Sequence, residues 1–282
     1  MITQLGHEGF PVAVVCQALG VSRAGYYAYV RGAAGPREQE DARLRPLVRQ
    51  IFWEHKRRYG ARRIAVELTA RGEACGPGRV ARLLKQLGLR AIQPQSFRPR
   101  TTQSRHPLGY SPNLLVEAPP PRAINQVWLG DITFVPLAGG RFAYLALLLD
   151  LYSRRIVGWE LDKHMAEPLV LAALREAIAA RQPAPGLIHH TDRGGQYAGG
   201  EYRQVLGRAW MRQSMSRADN VYDNAFMESC FGTIKTELEM EVYANLSAAH
   251  EEIHDYLCYY DTKRRHSSLG YLTPRDFELS QK

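Results

Sequence analysis

The sequence predicts an α/β protein, a core of sheet and helices preceded by an all-α region that opens with a helix-turn-helix. Three observations predict it. Up to residue 92, apolar side chains recur at three- and four-residue steps, the period of helices with one buried face. From 93 to 122, Pro94, Pro99, Pro107, Pro112 and Pro119 to Pro121 break that period. From 123 onward, runs of β-branched and aromatic residues bounded by glycines read as strands, with helical segments after them. The chain therefore divides into a helix-turn-helix-like segment (1–35), a helical domain (36–92), a basic linker (93–122) and a core with a basic C-terminal extension (123–282).

In the first segment, Pro11 to Gly20 reads as a short amphipathic helix stopped by the glycine. Ser22 suits the N-cap of a second helix carrying Arg23, Tyr26, Tyr27 and Tyr29, because its hydroxyl can accept an orphan backbone N–H. Two readings fit the pair: a helix-turn-helix that brings Arg23 to a major groove, or a plain helical hairpin with tyrosines in its core. Farther on, Glu38 to His55 sets Leu44, Leu47, Val48, Ile51 and Phe52 on one face. Tyr59-Gly-Ala-Arg-Arg-Ile64 turns into a helix with Ile64, Val66 and Leu68. Gly76-Pro77 opens a third, with Val80, Leu83, Leu84 and Leu87, and Gly88 closes it. Arg57, Arg58, Arg62, Arg63, Arg79, Arg82 and Lys85 crowd these turns, and Arg62 and Arg63 are the candidate DNA contacts.

Charge supports a division of labour. Residues 1–124 hold 20 Lys and Arg against 8 Asp and Glu, whereas 125–282 hold 17 against 20. A basic front half suits a polyanion such as nucleic acid. The linker carries Arg98, Arg100, Arg105 and His106 on a chain too rich in proline to be helical. It reads equally as a passive spacer or as a track for a phosphate backbone.

In the core, Gln126 to Val135, Phe142 to Leu151 and Arg155 to Glu160 are three successive strands, the first two joined by a Gly139-Gly140 turn. A helix from about Glu167 to Ala180 follows, then a short strand, Gly186-Leu-Ile-His-His190. Acidic residues stand in telling places: Asp131 in Trp-Leu-Gly-Asp-Ile-Thr, Asp192 in His-His-Thr-Asp-Arg-Gly-Gly-Gln-Tyr, and Glu228 in Asn-Ala-Phe-Met-Glu-Ser-Cys-Phe. Between the last two lie 35 residues, and Lys235 follows Glu228 by seven. Separated carboxylates that fold together can hold two divalent cations, the equipment for attack on a phosphodiester. As hard oxygen ligands they select Mg²⁺, with Mn²⁺ as a substitute, over zinc. His189 and His190, at the end of a core strand, read as one buried side chain and one hydrogen-bonded near the site.

These acids and their spacing resemble those of the DDE transposases and retroviral-type integrases, in the variant with 35 residues between the last two acids and a basic residue seven further on. Tyr59-Gly-x-Arg-Arg-Ile64 and Gly76-x-x-Arg-Val-x-Arg-Leu-Leu84 resemble the helical domain of OrfB-type insertion-sequence transposases, encoded by the second of two overlapping reading frames. Tyr259 to Pro274 resembles the family's Tyr-Asn-x-x-Arg-Pro-His-x-x-Leu phrase, with Asp261 for asparagine and Arg265 for proline. Cys230 also departs from the family, which usually has an aromatic residue there. Resemblance runs from about residue 10 to 278. It implies a ribonuclease-H-like core with a mixed five-stranded sheet, the first acid midway along the central strand, the second past the end of a neighbouring parallel strand, and the third on a later helix. It further implies binding to terminal inverted repeats and target DNA, cleavage at the element's ends, and joining of the 3′-hydroxyl to another strand. A homo-oligomer on DNA is implied, with the upstream reading-frame product as fusion or partner. Met1, about ten residues before the first helical phrase, suits a frame reached by frameshifting.

Contacts with DNA are also expected from the core. Asn224, Glu228, Phe231 and Lys235 step by four, three and four and so share a helix face. Lys235 then serves either a surface ion pair or a phosphate beside the scissile bond. Gln196 and Tyr197 follow the Gly194-Gly195 turn and are placed to meet DNA. Lys263 to His266 form a basic loop, with Arg264 and His266 as its phosphate contacts.

Other classes fit poorly. The apolar run Phe142 to Leu151 is half the length of a membrane span, and the first residues lack a signal-peptide pattern. Cysteines at 16, 75, 230 and 258 have no zinc-clip spacing and read as reduced thiols of a cytoplasmic, nucleoid-associated protein. His250, His254 and Cys258 recur every four residues, but they alternate with Ile253 and Leu257 and lack a fourth ligand, which favours packing over a metal. Two rivals to a transposase stay open: a catalytically silent DNA-binding regulator derived from one, and a plain ribonuclease-H-like nuclease.

Overall fold

Helical spacing in the first unit, residues 1–91, is realised as α1 (Ile2–His7), α2 (Val12–Ala18), α3 (Arg23–Val30), α4 (Pro36–Glu54), α5 (Ala61–Ala70) and α6 (Pro77–Gln86). The computed structural model describes residues 2–32, 35–93, 108–116, 118–217, 225–239 and 242–281. Among the described residues no helix is long and apolar enough to cross a membrane. Ser22 caps α3 as expected, its hydroxyl accepting the Gly25 N–H at 3.0 Å. No residue of α3 is buried and Tyr29 is 80% exposed, so the tyrosines do not form a hairpin core. In α4–α6 the apolar stripes meet in one cluster built from Leu44, Val48, Ile51, Phe52, Ile64, Leu68, Val80 and Leu83. Ala65 is buried in place of the expected Val66, which is only half-buried. Two arginines from the expected basic set turn inward. Arg79 Nε and Arg82 Nη2 bind the buried Asp41 carboxylate at 2.7 and 2.6 Å. Burial pushes the Asp41 pKa up, but these two arginines outweigh it and hold the carboxyl below its usual range.

The second unit, residues 92–282, contains β1 (Val127–Leu137), β2 (Arg141–Asp150), β3 (Ile156–Asp162), α7 (Glu167–Arg181), β4 (Ile188–Thr191), α8 (Gly195–Ala198), α9 (Gly200–Arg208), β5 (Arg212–Met215), α10 (Ala225–Glu237), α11 (Leu246–Thr262) and α12 (Pro274–Leu279). The five strands form one mixed sheet in the order β3-β2-β1-β4-β5. β1 pairs antiparallel to β2 and parallel to β4, which is the ribonuclease-H-like arrangement expected. Each face of the sheet buries its own core. Val127, Leu129, Val135, Leu145 and Leu147 pack with Met227, Phe231 and Ile234 of α10 and Ile253 and Leu257 of α11. On the other face, Trp128, Leu148 and Val157 pack with Val170 and Leu174 of α7 and with Tyr202 and Leu206 of α9. Gly158 permits the close approach of α7 to β3, because a Cβ there would overlap the Ala173 carbonyl.

Two regions differ from the sequence reading. β5, Arg-Gln-Ser-Met, is a strand that the pattern does not mark. The second half of the expected linker is not a free spacer, since residues 109–114 run beside β5. Ser111 Oγ donates to Gln213 Oε1 at 2.8 Å, Leu114 N–H to Ser214 Oγ at 2.9 Å, and Met215 N–H to the Pro112 carbonyl at 3.4 Å. The segment thus covers an edge strand that would otherwise expose unpaired backbone groups. Arg98, Arg100, Arg105 and His106 lie outside the described residues.

The C-terminal phrase is a packed corner. Asp261 Oδ1 accepts the Ile156 N–H at 3.0 Å, tying α11 to the start of β3. Burial pushes its pKa up to about 7, against the opposing pull of that bond and of Arg155. An unfolded aspartate ionises near 4, so stability falls as pH rises from about 4 to 7 and stays lower above. Asp261→Asn keeps an acceptor for Ile156 without the charge. Its stability advantage over wild type should grow by about 2–4 kcal/mol between pH 4 and pH 8. Urea unfolding at both pH values measures this; a pH-independent difference would show that folding leaves the Asp261 pKa at its unfolded value.

Candidate active site

Strand register brings two of the three acids together. Gly130 pairs with Thr191 as the last matched positions of β1 and β4, and Asp131 and Asp192 come next on their respective chains. Neighbouring strands lie about 4.8 Å apart, so the two carboxylates start from adjacent backbone positions. Each is oriented by its own backbone: Asp131 Oδ1 accepts the Ile132 N–H at 2.8 Å, and Asp192 Oδ1 accepts the Gly194 N–H at 2.9 Å. Both side chains are half-buried. Tyr197 senses the pair. Burial raises its pKa well above the usual value, and the charges of Asp131 and Asp192 add to the rise.

Glu228 lies in the first turn of α10, exposed, on a helix whose Met227, Cys230, Phe231 and Ile234 seat it on the sheet. Farther along α10, Lys235 is half-buried. Burial lowers its pKa, while the Asp131 charge opposes that shift, so this cation belongs to the acidic centre's surroundings. Among the described residues, no three His, Cys, Asp or Glu side chains lie close enough to hold one metal ion. The structure therefore pairs Asp131 with Asp192 but does not complete a three-ligand cluster with Glu228. The donor set still suits a hard divalent cation, since two adjacent, partly exposed carboxylates offer oxygen rather than sulfur or imidazole.

The histidines of β4 support the centre from within. β4 is an interior strand, flanked by β1 and β5, and both side chains are buried. His189 Nε2 pairs with the Tyr202 hydroxyl at 2.7 Å, and burial takes its pKa down to about 3. His190 bridges Ser214 and Ser216 through its two ring nitrogens, at 2.8 and 3.2 Å. Both are thus buried and both hydrogen-bonded, rather than one of each.

Three of the expected DNA contacts, Arg264, His266 and Tyr197, are corrected. Arg264 and His266 are 5% and 7% exposed. Arg264 binds Glu237 through Nε and Nη2 at 3.0 and 2.8 Å, and its guanidinium lies over Tyr260. His266 packs edge-on against Tyr260 at 4.7 Å. The Arg264 charge is used inside the protein rather than offered to phosphate. Tyr197, 2% exposed, packs with His189 and Tyr202. Gln196 is half-buried and donates to the Met165 carbonyl at 3.2 Å. Arg23 and Arg62 are exposed, and Arg63 is half-buried with its guanidinium 5.5 Å from the Tyr59 ring. Asn224 lies outside the described residues.

Two supporting arginines escape the sequence reading. Arg193, next to Asp192, donates to the Ser216 carbonyl at 2.8 Å and lies over the Tyr110 ring at 4.8 Å. Arg154 lies over Phe226 at 4.3 Å, two residues before Glu228. Only the Asp-Arg-Gly phrase hints at the first, and nothing local marks either aromatic partner.

Residues 121–220 and 210–274 match family models described as integrase core domains, and residues 38–97 match an HTH-like domain. That last match covers α4–α6 rather than α2–α3. The chain is similar to the 31 kDa protein of insertion element IS600 from Shigella sonnei, at 41% identity over 93% of this chain and 97% of that protein. It is similar to the transposase of element IS904 from Lactococcus lactis, at 39% identity over 83% and 93%. A third likeness is to transposase InsF of IS3A from Escherichia coli, at 36% identity over 95% and 94%.

Proposed function

This chain belongs to the insertion-sequence transposases built on an integrase core, enzymes of the polynucleotidyl-transferase class, and from that premise we propose that Asp131, Asp192 and Glu228 are its catalytic residues. The adjacency of Asp131 and Asp192 across β1 and β4 carries this reading. In it, the three carboxylates would hold two Mg²⁺ ions, for which Mn²⁺ would substitute. Such ions activate a hydroxyl nucleophile and stabilise the leaving oxyanion of a phosphodiester. The chain's own residues do the positioning. Backbone N–H groups of Ile132 and Gly194 fix the two aspartates, and α10, packed on one face of the sheet, presents Glu228.

DNA is the substrate and partner in this reading: the element's terminal repeats first, then a target. Lys235, within reach of the Asp131 charge, serves a phosphate beside the scissile bond. Arg23, Arg62 and Arg63 serve the repeats from the basic first unit, and Gln196 serves the strand passing the core. The products are an exposed 3′-hydroxyl at the element's end and its joint to a second strand. The active species is a homo-oligomer assembled on DNA.

Purified protein, a duplex carrying the element's terminal repeat, and Mg²⁺ test the proposal. Nicked ends and joined products are expected. Binding without cleavage would leave a silent regulator, and cleavage without joining a plain nuclease.

A further inference from the structure

At the end of the sheet away from Asp192, where β1 begins, a cavity of about 310 Å³ is walled by three arginines. Arg155 comes from the entry to β3, Arg181 from the last turn of α7, and Arg275 from the first turn of α12. Glu278 lies among them, buried, accepting from Arg155 Nη1 at 2.7 Å and from Arg181 Nη1 and Nη2 at 2.8 and 2.7 Å. Arg181 Nε also donates to Asn125 at 3.0 Å. Arg155 Nε stands 3.7 Å from Asp261, whose own charge burial disfavours. One guanidinium would balance Glu278. The second is in excess wherever Asp261 is protonated, and Arg275 is in excess at any pH, since its exposed side chain makes no ion pair or hydrogen bond among the described residues. Leu279, 55% exposed, adds an apolar wall.

Glu278 and Asn125 take the donors of Arg181, and Glu278 takes Nη1 of Arg155, so an anion in the cavity would meet Nη2 of Arg155 and the exposed guanidinium of Arg275. A guanidinium matches the oxygens of a phosphate, and that of Arg155, already oriented by Glu278, loses little entropy in binding one. An apolar wall beside such donors suits the sugar that accompanies a backbone phosphate. Asn125 and Asp131 are six residues apart along an extended chain, roughly 15–20 Å, so a phosphate held here is not the scissile one.

We propose that this arginine-walled cavity is a second phosphate site, which grips the DNA backbone at a distance from the acidic centre. It rests on the transposase reading above. The test is binding of the full chain to duplex DNA of unrelated sequence, followed by fluorescence anisotropy across a salt series. For Arg275→Ala the slope of log affinity against log salt should fall by about 0.9, the value of one lost phosphate contact. Arg275→Lys should recover most of the slope, and both variants should melt like wild type. If wild type binds DNA and Arg275→Ala leaves the slope unchanged, the cavity is not a DNA site, while the transposase reading stands. If wild type shows no salt-dependent binding, both fail. A titration with inorganic phosphate separates the sources: saturable phosphate binding lost in Arg275→Ala, with DNA binding unaffected, would mean a site for free anions and overturn the backbone assignment.

Discussion

Asp192→Asn is expected to leave a protein that melts like wild type and binds element ends, yet cleaves and joins them at least about a thousandfold more slowly. Asparagine retains an oxygen to accept the Gly194 N–H, so the turn after β4 keeps its shape. The charge is what disappears, and with it a hard anionic ligand. Asp131→Asn should behave the same way, since its amide oxygen can still accept from Ile132. Gel assays of cleavage and joining, run beside thermal melts and end-binding titrations, separate loss of chemistry from loss of fold. Activity within about tenfold of wild type in either variant would remove that aspartate from the centre.

Arg264→Ala is expected to have the largest effect on stability. It strands the Glu237 carboxylate in a buried corner, where the Tyr256 hydroxyl at 3.1 Å is a neutral partner and no replacement for a guanidinium. Removing one member of a buried pair costs about 3–5 kcal/mol, because the other charge is left uncompensated. For a unit of this size each kcal/mol lowers the melting point by about 2–4 °C, so a fall of about 6–20 °C should follow. Replacing both partners, as in Glu237→Leu with Arg264→Met, should recover much of the loss. If Arg264→Ala instead melted like wild type and bound DNA more weakly, the arginine would face phosphate in solution, contrary to its buried position.

The contrast between these residues shows what is legible in a sequence. Asp131 and Asp192 are readable because each belongs to a strand, or follows one, that apolar and β-branched residues identify. Ser22 is readable because capping is local, decided within three residues. Arg264 is misread as a phosphate contact because a run of basic residues says nothing about burial. Its partner Glu237 is 27 positions upstream, at the end of α10. The same holds for Arg79 and Arg82, whose charge is taken up by Asp41 of α4. β5 escapes notice because Arg-Gln-Ser-Met is short and polar; its pairing depends on β4 on one side and residues 109–114 on the other. Such a strand is specified by neighbours rather than by its own pattern. Spacing puts Glu228 on a helix, as found, but spacing does not say how near the aspartates that helix brings it.

Metal binding by the acids tests the central claim most directly. Mn²⁺ titration followed by the electron paramagnetic resonance of the free ion can be run on wild type, Asp131→Asn, Asp192→Asn and Glu228→Gln, each with end DNA present. Wild type should bind Mn²⁺ saturably, and each variant should bind fewer ions or bind them at least about tenfold more weakly. Equal stoichiometry and affinity in wild type and all three variants would contradict the assignment of these carboxylates as the metal-holding centre.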